Sequence, residues 1–322
     1  MAEYEQQSTA YARPLVPIPY THGSSSPASA ELDAEEIAHF KREGYLMKRG
    51  LIFGTRSFAR IIDYVWETVP RGALYRDDPE SWIDQPTERW PQEQARHIGA
   101  LHGCNWKMRS PNHYGREVFL LEMSANHPQV RACVKQFIGP AIRSNSRVRG
   151  IYVVLPKAPS AEGSLGPHVD HAAAQLCAMV FIAQTPPRTG GFTIWPRSHT
   201  RLHPFWMSRY GAHFEPSLKQ AFNAEHKNIL ETTTPIEFTG EPGDVVFWHP
   251  RLIHSAGVNY SAESNAPQIR YIVPCDFQRA GCTYYDDHHL GPGPKAQWWV
   301  DTRHFHEDPQ PTSENMWDDW VI

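Results

Sequence analysis

The spacing of apolar positions changes near the middle of the chain. In the first half they recur at intervals of three and four residues, which predicts helices at Glu31–Phe40, Arg56–Thr68 and Val118–Phe137. Glycine or proline follows each of these segments closely, and helices commonly end at such residues. A short strand is predicted at Tyr45–Met47, directly after the first helix. The first half is therefore predicted to be mainly helical.

The second half contains short extended runs instead. They are rich in β-branched and aromatic residues and are separated by clusters of glycine, proline and serine. The runs are Arg147–Leu155, Leu176–Ile182, Phe192–Trp195, Thr232–Phe238, Asp244–Trp248 and Ile269–Phe277. Helices first and strands afterwards predict a mainly β protein with flanking helices. We expect a double-stranded β-helix, the jelly roll of cupin-like proteins, with the N-terminal helices packed outside.

Composition divides the chain into a central domain and two extensions. Residues 1–30 are rich in serine, proline and tyrosine without periodicity, which predicts a flexible N-terminal arm. Residues 31–277 are expected to form the jelly-roll domain. Within it, residues 71–115 are interpreted as a cover over an active site, the alternative being a packed surface excursion. Residues 278–322 are a Trp-rich extension that we expect to dock on the body.

Composition and charge narrow the range of partners. The net charge of -4 is small and no basic block stands out, which argues against nucleic acid or an anionic membrane surface. No apolar run approaches membrane-spanning length. The five cysteines are an odd number and lie far apart, which argues against a disulfide scaffold and favours the reducing cytoplasm. We expect a cytoplasmic monomer or homodimer that acts on a small molecule.

His168 and Asp170 point most directly to a particular chemistry. Side chains two apart on an extended strand leave the same face, so both can bind one ion. His254, at the end of the segment Gly243–His254, can supply a third ligand. Two imidazoles and one carboxylate on one side of a metal leave other positions open, which is the arrangement of non-haem Fe(II) oxygenases. The three residues therefore predict an iron site.

The chain has 18 histidines, so the choice of the third ligand depends on position along a strand. His249 is five residues before His254, and on one continuous strand the two side chains face opposite sides. His171 is adjacent to Asp170 and is expected to face away from the pair. Zinc is the main alternative metal, but a zinc site has no need of the downstream Arg270.

Arg270 is a charged residue inside the β-branched run Ile269–Val273. Arginine is seldom buried without a partner, so an edge-strand or salt-bridge arginine is one interpretation. The functional interpretation is a clamp for a carboxylate, because guanidinium forms paired, charge-assisted bonds with a planar anion. Ser261 can add a hydroxyl donor to the same anion.

Taken together, these segments resemble the phytanoyl-CoA dioxygenase-like family over residues 32–277. The residues that carry the resemblance are His168-Val169-Asp170, Gly190–His199 and Gly243–His254, with Gly257, Asn259, Ser261 and Arg270 beyond them. The opening helix and the residues 40–46 after it are also similar to the family's usual start. One departure is Arg197, which stands where the family commonly has a turn glycine.

The resemblance implies an Fe(II)- and 2-oxoglutarate-dependent oxygenase. His168, Asp170 and His254 would bind Fe(II), and Arg270 would pair with the far carboxylate of 2-oxoglutarate, helped by Ser261. The enzyme would consume O2 and couple oxidative decarboxylation of 2-oxoglutarate to hydroxylation or desaturation of a small organic substrate. A secondary metabolite is one such substrate, and ascorbate is a candidate stimulant. Halogenating relatives typically lose the carboxylate ligand, so Asp170 favours an oxygen-based outcome.

Two other classes of protein are compatible with the sequence. The first is a cupin-like metal enzyme that does not use 2-oxoglutarate and gives Arg270 a different role. The second is a catalytically silent relative that acts as a binding protein. Silent relatives usually lose a metal ligand, whereas all three ligand types are present here, which favours an enzyme.

Overall fold

Two β-sheets pack against each other in the computed structural model. It describes residues 16–17, 29–83, 101–102, 104–109, 114–157, 166–170, 174–205, 216–280, 316–317 and 320–322. The strands within these ranges are β1 (Val16–Pro17), β2 (Tyr45–Lys48), β3 (Leu101–His102), β4 (Asn105–Met108), β5 (Ile151–Val154), β6 (Leu176–Phe181), β7 (Phe192–Ile194), β8 (Ile236–Phe238), β9 (Val245–Trp248), β10 (His254–Ala256) and β11 (Arg270–Phe277).

The order of the strands is that of a jelly roll. The larger sheet has the order β2-β9-β6-β11-β5-β4-β3, and the smaller sheet has the order β1-β8-β7-β10. The described pairings are antiparallel, except that β1 is parallel to β8. Side chains from both sheets, among them Phe181, Phe192 and Phe238, form one buried cluster between them. The predicted fold class is therefore confirmed.

The larger sheet is buried on both faces. Along β6, Leu176, Ala178 and Val180 belong to the cluster that packs against the helices. The intervening residues, Cys177, Met179 and Phe181, belong to the cluster between the two sheets. Successive strand residues point to opposite faces, so a strand covered on both sides is apolar throughout. This explains why β6 is a continuous apolar run in the sequence.

The helices within the described ranges are α1 (Ala34–Glu43), α2 (Thr55–Thr68), α3 (Val118–Glu122), α4 (Pro128–Ile138), α5 (Ser198–Leu202) and α6 (Pro216–Thr232). Among them, α1 and α4 pack on the outer face of the larger sheet. Phe40 of α1 contacts Phe137 of α4, and Phe137 contacts Phe247 of β9, with ring centroids 4.4 and 5.6 Å apart. Within the described ranges, no helix has both the length and the apolar character needed to cross a membrane.

Two element predictions were wrong in detail. Val118–Phe137 is two helices, because Pro128 has no N–H to donate and starts α4 instead of continuing α3. The extended run predicted at Thr232–Phe238 begins later, since Thr232 is the last residue of α6 and β8 starts at Ile236.

The predicted extensions lie largely outside the described residues. Of the predicted arm, the described residues are Val16–Pro17, as strand β1, and 29–30. Much of the predicted cover at 71–115 also lies outside them. In the C-terminal extension, Trp317 and Trp320 are buried and lie 5.8 and 6.2 Å from Phe40 between ring centroids.

Candidate metal centre

His168 and His254 are brought together by a β-bridge. The extended segment around His168 runs antiparallel to the start of β10, and the backbone N–H of each histidine donates to the carbonyl of the other at 2.9 Å. The two imidazole centroids lie 4.5 Å apart. Because β10 also pairs with β7, the smaller sheet anchors both residues.

Backbone carbonyls orient both imidazoles. The Nδ1 atom of His168 lies 2.8 Å from the carbonyl oxygen of Gly166, and that of His254 lies 2.9 Å from the carbonyl oxygen of Leu252. A carbonyl oxygen only accepts, so Nδ1 carries the proton in each ring. The lone pair of each Nε2 is then available to a metal, and metal-binding histidines commonly use their other ring N–H in this way.

Asp170 completes a cluster of three candidate ligands. One ligand atom from each of His168, Asp170 and His254 lies within 4.8 Å of the other two. The Oδ2 atom of Asp170 is 3.5 Å from Nε2 of His254. Two neutral imidazoles and a carboxylate suit a divalent first-row metal ion and leave its remaining coordination positions open. The donor set therefore fits such an ion.

Arg149 contacts Asp170 directly. Its Nη1 lies 2.8 Å from Oδ2 of Asp170, and its Nε lies 2.8 Å from Oδ2 of Asp276 on β11. The side chains of Arg149 and Asp170 are each only 12% exposed. The guanidinium therefore restrains the orientation of the Asp170 carboxylate. The sequence pattern did not indicate this residue, because an arginine before a strand resembles many surface arginines.

Burial and neighbouring charges set the protonation of the cluster. Burial lowers the pKa of His168 to about 4, and His254 adds to this effect. Burial by itself raises the pKa of Asp170, but Arg149 and the two histidines outweigh it and hold that pKa well below its usual range. At neutral pH His168 is neutral and Asp170 is ionised, which are the states that bind a metal.

A cavity of about 100 Å³ opens beside the three candidate ligands. Apolar side chains on its wall include Phe192, Trp248 and Ile272. Its charged side chains other than histidine are those of Lys107, Arg109, Arg149, Asp170 and Arg270. The cavity thus combines an apolar wall with an excess of positive charge.

Arg270 lies on the wall of this cavity, at the start of β11 and opposite Val154 of β5. It is 2% exposed, and its Nη1 donates to the carbonyl oxygen of Gly190. Gly190 has a φ of 83°, and a Cβ atom there would lie 3.0 Å from Cγ1 of Val154, so glycine permits this close approach. A buried guanidinium on the cavity wall can form charge-assisted bonds with a carboxylate.

Ser261 is not among the described residues that line the cavity. Its hydroxyl donates to the carbonyl oxygen of Gln268 at 3.1 Å and accepts from the Gln268 N–H at 2.9 Å. The hydroxyl therefore closes the loop that leads to β11. Ser255 of β10 does line the cavity, although sequence reasoning did not select it.

The two histidines next to the candidate ligands in sequence have different positions. His249 is buried beside Trp317 and Trp320, with ring centroids 5.5 and 5.7 Å away, and belongs to the aromatic packing of the C-terminal extension. His171 lies outside the described residues.

The fold and the cluster define a jelly-roll protein with a candidate mononuclear metal site. The chain belongs to the phytanoyl-CoA dioxygenase (PhyH) family, whose model matches residues 84–265, more than half of the sequence. His168, Asp170 and His254 lie inside the matched segment, and Arg270 lies just beyond it. Among curated proteins, none matches this chain.

Several solved structures are similar to this chain at low sequence identity. The non-heme alpha ketoglutarate dependent carbocyclase SnoK from nogalamycin biosynthesis is 18% identical, with a TM-score of 0.51 over 83% of this chain and 95% of SnoK. The epimerase SnoN, in complex with Fe3+, alpha ketoglutarate and nogalamycin RO, is 17% identical, with a TM-score of 0.48 over 81% of this chain and 91% of SnoN. HygX from Streptomyces hygroscopicus, with nickel and 2-oxoglutarate bound, is 14% identical, with a TM-score of 0.45 over 79% of this chain and 91% of HygX.

Proposed function

We propose that this protein is an Fe(II)- and 2-oxoglutarate-dependent dioxygenase. It would use O2 to couple oxidative decarboxylation of 2-oxoglutarate to hydroxylation or desaturation of a small organic molecule. The observation that carries the proposal is the cluster of His168, Asp170 and His254 on the wall of a cavity that Arg270 also lines. Membership of the PhyH family supports the same chemistry.

Each residue has a distinct role in this proposal. His168, Asp170 and His254 would hold Fe(II), and bound Fe(II) supplies open coordination positions for 2-oxoglutarate and O2. Arg270 would pair with the carboxylate of 2-oxoglutarate that lies farther from the metal. Arg149 would keep Asp170 in position. Apolar residues such as Trp248 would limit the access of water to the reacting atoms.

The first experiment tests the metal and cosubstrate together. Anaerobic addition of Fe(II) and 2-oxoglutarate should produce the weak visible charge-transfer absorption of the chelate, and O2 should then give succinate. His168→Ala, Asp170→Ala and His254→Ala should each abolish succinate formation, because two ligands hold the metal less tightly than three. Succinate formation that is unchanged in one of these variants would remove that residue from the site, and metal-dependent turnover without 2-oxoglutarate would contradict the proposal.

The second experiment tests Arg270. Arg270→Ala removes charge-assisted bonds worth about 1.5–3 kcal/mol each, so the affinity for 2-oxoglutarate should fall by at least about tenfold. Arg270→Lys is the matched control, since it keeps the charge without the two-pronged geometry and should recover part of the affinity. The affinity for Ni(II) alone should change little in both variants. An unaltered affinity for 2-oxoglutarate in Arg270→Ala would place the clamp elsewhere.

A further inference from the structure

The turn after β9 holds one of the candidate metal ligands. It comprises residues 249–252 and leads to β10, which begins at His254. The backbone N–H of Leu252 donates to the carbonyl oxygen of His249 at 2.9 Å and closes the turn. The carbonyl oxygen of Leu252 then accepts the hydrogen bond from Nδ1 of His254. The conformation of the turn therefore determines how the His254 imidazole is oriented.

Arg251 connects the same turn to a second candidate ligand. Its Nη1 donates to the backbone carbonyl oxygen of Asp170, and the residue is only 2% exposed. Its own backbone N–H donates to Nδ1 of His249 at 3.0 Å. A buried guanidinium is fixed by the bonds that it forms, so Arg251 restrains the main chain at Asp170. Arg149 restrains the carboxylate of the same residue.

His249 is held in turn by Trp317 and Trp320, here called the tryptophan pair. The ring of Trp320 stacks on the His249 imidazole with an interplanar angle of 20°, and that of Trp317 meets it edge-on at 89°. The two indoles contact each other with centroids 4.9 Å apart. Because Nδ1 of His249 is the acceptor for the Arg251 N–H, a shift of this ring moves the acceptor as well.

The tryptophan pair is anchored on the helices. Both indoles contact Phe40 of α1, and the backbone N–H of Val321 donates to the carbonyl oxygen of Phe137 in α4 at 3.1 Å. A continuous series of contacts therefore runs from the C-terminal residues through His249 and the turn to two candidate metal ligands.

We propose that the tryptophan pair, His249 and Arg251 position the metal centre, so that metal affinity depends on the packing of the C-terminal residues. The inference rests on the proposed function, since it takes His168, Asp170 and His254 to be metal ligands. The four residues are positioning residues, because they act through the backbone of Asp170 and the ring of His254. Substitution of residues that orient metal ligands commonly lowers metal affinity by about 10–100-fold.

The test measures the Ni(II) affinity of the full-length protein by isothermal titration calorimetry. The measurements are made at a temperature at which circular dichroism shows every variant to be folded. Unfolding lowers an apparent affinity only in proportion to the unfolded fraction, so a loss of stability alone leaves the Ni(II) affinity unchanged under these conditions. Arg251→Met removes the bond to the Asp170 carbonyl and should weaken Ni(II) binding at least about tenfold.

Two variants of His249 separate its two contacts. His249→Phe keeps an aromatic ring against the tryptophan pair but removes the acceptor for the Arg251 N–H. His249→Asn keeps an acceptor close to the position of Nδ1 but removes the ring. Each variant breaks the series of contacts at one point, so each should weaken Ni(II) binding at least about threefold.

The variants of the tryptophan pair test the C-terminal residues themselves. Trp320→Ala removes the stacked ring and should weaken Ni(II) binding at least about threefold, whereas Trp320→Phe keeps a ring there and should restore most of the affinity. Val65→Ala is the matched control. It shortens a side chain of α2 that is 1% exposed, so it should lower the free energy of unfolding and leave the Ni(II) affinity unchanged.

Three results would overturn the inference. An unchanged Ni(II) affinity in Trp320→Ala would show that the C-terminal residues pack without affecting the site, whatever the effect of Arg251→Met. A loss of affinity in Val65→Ala equal to that in Trp320→Ala would assign the effect to a general loosening of the fold. Failure of the unaltered protein to bind Ni(II) would refute the proposed metal centre and the inference with it, whereas Ni(II) binding that no variant weakens would refute the inference alone.

Discussion

Individual side chains determine whether the candidate metal centre is preorganised. The sequence could indicate His168 and Asp170, because their spacing of two places both on one face of an extended segment. It could not indicate Arg149, whose role depends on a contact with Asp170 across the fold. The sequence also could not show that the Ser261 hydroxyl bonds to the backbone of Gln268, because that contact depends on the conformation of a loop. Spacing gives the face of a strand, but not the direction in which a loop turns a hydroxyl.

Arg149 should contribute to stability as well as to the site. Arg149→Met would leave Asp170 and Asp276 without their shared cation, and breaking a buried ion pair from one side costs about 3–5 kcal/mol. Because these side chains are partly exposed, we expect a loss of about 3 kcal/mol. Urea unfolding of the metal-free protein measures this loss. Asp276→Asn, which keeps the contact between Arg149 and Asp170, should cost less, and equal losses in both variants would contradict the assignment.

At the scale of elements, the turn before α5 is built with an unusual residue. Arg197 has a φ of 66°, in the left-handed region that glycine adopts most easily. Its guanidinium forms two bonds with Glu43 at the end of α1, at 2.8 and 2.9 Å. Its backbone N–H also donates to the carbonyl oxygen of Glu43 at 3.0 Å. The turn therefore connects α1 to α5, and the side chain offsets part of the backbone strain.

Two substitutions separate the strain at Arg197 from its salt bridge. Arg197→Ala and Arg197→Gly both remove the bonds to Glu43, but only glycine relieves the left-handed backbone, which costs other residues about 1–2 kcal/mol. Arg197→Gly should therefore be more stable than Arg197→Ala by about 1 kcal/mol. The comparison is made by chemical denaturation of the two variants, and equal midpoints would show that the turn adapts without strain.

Helix α6 illustrates which elements the sequence could have revealed. Leu218, Phe222 and Ile229 recur at helical spacing, and Phe222 and Ile229 are 3% and 0% exposed. The signal was present but weak, because most of the other positions in this helix are polar. The break between α3 and α4 could also have been predicted, because Pro128 does not fit inside a helix.

At the scale of the whole molecule, the fold class could be predicted because alternation and apolar runs follow directly from strand burial. The spacing of residues predicted the site only for His168 and Asp170, which share one extended segment, whereas His254 and Arg270 were selected by residue type and by resemblance to the family. His254, Arg270 and Lys107 lie on three different strands and meet at one cavity through long-range pairing of strands. Pairing of this kind depends on the register between distant segments, which a single sequence does not display.

The stability of the folded protein should depend on pH through His199. This residue is fully buried beside Trp317, and burial lowers its pKa from 6.5 to about 4. Between these two pH values the unfolded chain binds a proton that the folded protein does not. The contribution of His199 to the free energy of unfolding is therefore complete above pH 6.5 and is lost as the pH falls towards 4. Its amplitude is about 3 kcal/mol.

His199→Gln removes this titration. The free energy of unfolding of the variant should decrease less steeply than that of the unaltered protein between pH 6.5 and 4. Measurement of both proteins without metal, over the same pH series, tests the difference in slope. Parallel curves would mean that another group causes the acid sensitivity.

Neighbouring side chains of β6 face opposite sides of the larger sheet, so adjacent positions affect different properties of the protein. Met179 reaches the cavity, whereas its neighbours Ala178 and Val180 pack under the helices. A substitution at 179 affects which molecule the cavity binds. A substitution at 178 or 180 affects how tightly the helices pack on the sheet. Evolution or design can therefore alter substrate preference and the stability of the fold independently within three consecutive residues.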